Sequence, residues 1–110
     1  MSVRLIFKDE VLTAVLSGEI DHHSAREIRD EIDSTASKVH PKKLILDFSN
    51  VQFMDSSGIG LIMGRYKLMQ IWEGSVEIQN LPPNISRIIS LAGLEHLCTV
   101  RKESRNETDE

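Results

Sequence analysis

The chain has 110 residues, 40% of them hydrophobic and 27% charged, with a formal net charge of -4. These values describe one globular domain, large enough to bury about two-thirds of its unfolded surface. The acidic balance argues against a nucleic-acid surface, the single Cys98 against a disulfide framework, and the lack of any apolar run near ~20 residues against a membrane span.

Met1 to Glu10 alternates charged and apolar residues and holds no signal-peptide core, so the expectation is a soluble cytoplasmic domain. Val3–Lys8 and Val11–Leu16 are β-rich and separated by Asp9-Glu10, which predicts an antiparallel hairpin. Ser24-Ala25-Arg26-Glu27 has capping-box form, with Ser24 as the cap and His22 and His23 as loop residues before it. Ala25, Ile28, Ile32, Ala36 and Val39 then recur at helical spacing until Pro41. Leu44–Phe48 reads as a buried strand. A second helix is expected from about Ser57 to Trp72, stopped by Gly74, and a strand over Ser75–Gln79. Pro82-Pro83 opens a third helix with Ile85, Ile88, Ile89 and Ala92 inward and Gly93 as its stop. A last strand covers Leu97–Val100. Residues 101–110 are charged and polar, and a disordered tail is expected there. An opening hairpin followed by alternating strands and helices implies an α/β class with a mixed sheet and packed helices.

The second helix carries two apolar stripes. Ile59, Ile62, Met63, Tyr66 and Met69 suffice for core packing. Leu61, Leu68 and Trp72, with Arg65 between them, form the other stripe. Either the domain covers both, or the second one meets a partner.

Phe53-Met54-Asp55-Ser56-Ser57-Gly58-Ile59-Gly60-Leu61 is the most informative stretch. It sets two hydroxyls beside a carboxylate where a strand gives way to a helix. Unpaired amides and the positive end of the dipole collect at such a junction, which suits a phosphate on a ligand or on the serine itself. A plainer role for Ser56 is that of an N-cap.

Catalysis finds little support. No G-x-S-x-G elbow surrounds Ser56 or Ser57 to pair with His22 or His23. Gly58, Gly60 and Gly64 are spaced one residue too widely for a dinucleotide fingerprint, and no Walker lysine motif is present. His22 and His23 lack the further ligands of a metal site.

The segments Gly18-Glu19-Ile20-Asp21-His22-His23-Ser24-Ala25 and Phe53 to Lys67 resemble the two signature regions of STAS-domain anti-sigma factor antagonists, most of all those of the sporulation sigma-F system. The likeness runs from the opening hairpin to about Val100, so a single STAS domain is expected over residues 1–100. It implies a non-enzymatic module without cofactor that binds an anti-sigma factor, itself a nucleotide-bound serine kinase, and so releases the sigma factor. It further implies that this kinase phosphorylates Ser56 to end the interaction and that a serine phosphatase restores it. By the same resemblance Asp21, Ser56, Ser57, Gly58 and Leu61 belong to the partner surface, and neither nucleic acid nor membrane is a partner. The alternative within the family is a sensor module binding a nucleotide or anion at the start of the second helix.

Overall fold

A computed structural model of the protein describes residues 3–102. Strands β1 (Val3–Lys8) and β2 (Val11–Ile20) pair antiparallel, joined by Asp9-Glu10. Both turn residues hold positive φ, 53° and 67°, as a two-residue hairpin with the right twist requires. Then follow α1 (His22–Val39), β3 (Lys43–Met54), α2 (Ser57–Ile71), β4 (Ser75–Leu81), α3 (Pro83–Leu91), a short 3-10 turn at Leu94–His96, and β5 (Thr99–Lys102).

The sheet order is β1-β2-β3-β4-β5, and every pair after the hairpin is parallel. Each crossover therefore steps one strand onward in the same direction. Right-handed crossovers then place all three helices on one face. Burial follows that rule: Leu12, Ala14, Leu16, Leu44, Leu46, Phe48, Val76 and Ile78 are all buried at alternate positions, beneath Ile28, Ile32, Ile62, Met69, Ile85 and Ile89 of the helices. The opposite face carries Ile6, Thr13, Ile45 and Glu77 in one cross-strand row.

Several elements differ from the sequence expectation. β2 continues to Ile20 and β3 to Met54, beyond the apolar alternation that defined them. The register slips twice between these strands, each time with an extra residue on β3. The buried positions Phe48, Val51 and Met54 are consequently three apart instead of two. The N-cap of α1 is Asp21 rather than Ser24, so His22 and His23 are helical. The final strand lies later than expected and includes Arg101 and Lys102, whose side chains were assigned to the tail. The rest of that tail, 103–110, lies outside the described residues.

Glu77 secures the last strand. Its carboxylate accepts from Lys43 Nζ at 3.1 Å, Gln79 Nε2 at 2.6 Å and Arg101 Nε at 2.8 Å. The Gln79 amide, then the Arg101 and Lys43 donors, outweigh desolvation and hold its pKa down to about 2. At the far ends of α1 and α2 the His40 and Trp72 rings stack at 4.2 Å.

Candidate functional site

The two signature segments meet at the carboxyl ends of β2 and β3, where open α/β sheets usually present their binding groups. Ile20 pairs with Met54, and the Asp55 amide donates to the Ile20 carbonyl at 3.1 Å. The start of α1 is thereby fixed beside the start of α2.

On the α1 side the cap is reciprocal. Asp21 Oδ1 accepts from the His23 and Ser24 amides, each at 2.9 Å, and the Asp21 amide donates to Ser24 Oγ at 3.0 Å. Ser24 Oγ donates onward to the Glu19 carbonyl at 2.7 Å. The Ser24 amide, chiefly, keeps the Asp21 carboxyl below its ordinary pKa, so it is ionised at neutral pH.

On the α2 side Ser56 is exposed and already helical, at φ -63° and ψ -15°, and its side chain makes no capping hydrogen bond. Asp55 caps instead: its Oδ1 accepts from the Ser57 amide at 2.8 Å. Ser56 thus holds the N-cap position at the start of α2, as expected, but the capping bond of the plainer reading comes from the Asp55 side chain and not from its own. A helical φ/ψ turns its hydroxyl away from the amides that a capping serine, in extended conformation, would meet. The Gly58 amide donates to the Asp55 carbonyl and the Ile59 amide to the Ser56 carbonyl, both at 3.0 Å. The amides of Ser57, Gly58 and Ile59 are thus already committed, and the expected anion cradle at this helix start is filled by the chain itself.

Gly58 is buried, and a Cβ there would overlap Met54 Sδ and Cγ. The methionine at the end of β3 fits under the first turn of α2 only because that position is glycine. Ser57 is half-buried. Leu61 is only 4% exposed and packs with the core. α1 packs against α2 over Leu61 and Arg65, while Leu68 and Trp72 of the second apolar stripe are half-buried. The buried Arg65 of this stripe is ion-paired with the half-buried Asp33 of α1, Nε to Oδ1 2.9 Å. Neither atom completes a hydrogen bond, so attraction of charge holds the pair without good alignment. Desolvation raises the Asp33 pKa and lowers that of Arg65, each against the pull of its partner.

Phe53 was not singled out as a surface residue, yet it is 49% exposed three positions before Ser56. The second slip between β2 and β3, which falls just before it, is invisible to a two-residue alternation. Among the described residues no cluster of three metal-ligating side chains occurs, and no helix is long and apolar enough to cross a membrane.

Comparison with known proteins matches this arrangement. A relative named anti-sigma F factor antagonist, from Paenibacillus polymyxa, is 38% identical over 84 residues, covering 76% of this chain and 72% of that protein. The unphosphorylated anti-sigma factor antagonist SpoIIAA superposes with a TM-score of 0.80 at 28% identity, over 92% of this chain and 89% of its own. The phosphorylated form of SpoIIAA, the Bacillus cell fate determinant, superposes at 0.72 with 28% identity and 92% of each chain covered. Residues 2–106 match the STAS domain as a family, and the chain belongs to it.

Proposed function

We propose that this protein is an anti-sigma factor antagonist that binds an anti-sigma factor when Ser56 is unmodified and lets go when Ser56 is phosphorylated. The observation that carries this reading is the division of labour at the start of α2. Asp55 satisfies the Ser57 amide, and Ser56 stands exposed with no capping duty. The partner is a serine kinase with its own bound nucleotide. Ser56 Oγ attacks the γ-phosphorus of that ATP and loses its proton to a base of the kinase, and ADP departs. A serine phosphatase returns the hydroxyl by hydrolysis. Asp21, Ser56 and Ser57 form the contact surface, with Gly58 shaping the turn. The cycle takes place in the cytoplasm, and the chain contributes no catalysis or cofactor of its own.

A phosphoryl group adds about -1.5 to -2 charges at neutral pH. In this chain the residue before it is the carboxylic Asp55, and the amides of Ser57, Gly58 and Ile59 are taken. Those amides are not free to receive it, so the charge falls on the surface that the partner meets. The same committed amides weigh against the alternative of a sensor that holds a nucleotide or anion at this helix start.

The test is incubation with the candidate anti-sigma kinase and ATP, with the modified residue mapped by mass spectrometry. Phosphate on Ser56, and loss of the kinase complex on its appearance, are expected. Phosphate on Ser57 alone, or none with an active kinase, overturns the assignment.

A further inference from the structure

β5 is the edge of the sheet, and among the described residues no strand lies beyond it. Its side chains alternate. Arg101 turns to Glu77 on the face away from the helices, while Val100 and Lys102 line a trough shared with α3. Two adjoining cavities of about 470 and 140 Å³ make up this trough, and Leu81 and Lys102 line both. The floor is apolar, formed by buried Leu81 and Ile89 with half-buried Val100. Leu91, the last residue of α3, stands on the rim and is 83% exposed.

Charge is unevenly placed along the trough. Arg87 of α3 and Lys102 of β5 line the larger cavity, and neither is ion-paired among the described residues. Glu95 lines the smaller cavity, where Ser90 Oγ donates to it at 3.2 Å. The trough therefore has a cationic end and an acidic end. Two unpaired cations above an apolar floor run against the balance of a chain whose net charge is -4.

We infer that this trough binds an extended, acidic peptide segment of another protein. The segment adds along the outer edge of β5, sets an apolar side chain over Leu81 and Ile89, and brings a carboxylate to Arg87 and Lys102. An edge strand offers main-chain donors and acceptors to an added strand, and every second side chain of that strand then enters the groove beside the helix. Charge complementarity selects an acidic occupant, since a carboxylate suits the planar donor fork of arginine. Glu95 repels a second carboxylate at the other end and so sets the direction in which the segment lies. This surface is separate from the Ser56 contact and does not depend on the function proposed for it.

The test titrates the full-length, isotope-labelled protein with the synthetic peptide acetyl-Thr-Val-Leu-Glu-Glu and with its counterpart carrying glutamine for glutamate. Amide shifts confined to α3 and β5, slower hydrogen exchange in β5, and at least tenfold weaker binding of the glutamine peptide are expected. Arg87→Gln is expected to weaken the acidic peptide at least threefold and to flatten the dependence of its affinity on salt. Leu91→Ser is expected to weaken it as well, and both side chains are exposed, so the fold is kept. No binding at millimolar peptide, equal binding of the two peptides, shifts located elsewhere, or wild-type affinity in Arg87→Gln would each overturn the inference. A full-length variant with Glu103→Gln, Glu107→Gln, Asp109→Asn and Glu110→Gln together should bind the peptide as wild type does. Binding tenfold tighter in that variant would mean that the acidic end of the chain itself occupies the trough, and would overturn the outside partner.

Discussion

Asp55 and Ser56 share what a capping serine does alone in many helices, and their substitutions should therefore part company. Asp55→Ala removes the acceptor for the Ser57 amide and should cost about 1 kcal/mol, lowering Tm by roughly 4 °C or more for a domain of this size. Ser56→Ala removes an exposed hydroxyl with no capping bond, and stability should stay within about 0.5 kcal/mol of wild type while phosphate incorporation disappears. Thermal melts of the two variants check the contrast; equal losses would return the capping role to Ser56. Gly58 makes a third case. Gly58→Ala drives a methyl into Met54 and should destabilise by about 1–3 kcal/mol, as overpacking does. Shortening the methionine as well makes room, so the Met54→Ala, Gly58→Ala pair should lose less than the two single costs added together. Additive losses in denaturant titrations would show that the two residues do not compete for space.

β5 has only four residues on the edge of the sheet, and the Glu77 cluster ties it down from the face away from the helices. The carboxyl of Glu77 ionises at about 2 in the folded chain against 4.5 as a free side chain. A depressed pKa stabilises the fold fully above the unfolded value, and that contribution is lost as pH falls from about 4.5 towards 2. With Lys43 and Arg101 partly in solvent the worth of the cluster is about 1–2 kcal/mol. Glu77→Gln should lose that amount at pH 7 and show a flatter stability profile through the acid window. A profile parallel to wild type would place the titration elsewhere. Residues of this kind also mark what the sequence made legible. The cores of the strands and the bodies of all three helices could be read from periodicity, including Pro83 in the first turn of α3 and Gly93, at φ 74°, just beyond its end. The ends could not. Ser49 and Asn50 look like a loop, and only the slips in register carry β3 through them to the site. Asp21 and Ser24 each contain a capping oxygen, and sequence alone cannot say which of the two is the cap. Leu61, Leu68 and Trp72 look alike as one apolar stripe, and no pattern reveals that Leu61 alone of the three is buried.

At the scale of the molecule the single direction of winding separates support from function. All three helices buttress one face of the sheet, and both signature segments come out at one end of it, at the joined starts of α1 and α2. A charge added there is expected to act on the surface without movement of the sheet. Ser56→Asp tests the mechanism in one step. Its carboxylate is smaller than a phosphate and has one charge rather than nearly two, so it asks whether charge alone suffices. Desolvating an unpaired charge in an interface fitted to a hydroxyl costs several kcal/mol, and affinity for the anti-sigma partner should fall about a hundredfold or more. The fold should be unaffected, since the side chain at position 56 is exposed and acid is tolerated at the positive end of a helix. Amide chemical shifts of the variant, and of the phosphorylated protein, should change only near the start of α2 and around Asp21. Shifts spreading through β4, β5 and α3 would mean that the switch works by rearranging the sheet, as a conformational transition does, and not by placing a charge where the partner must sit.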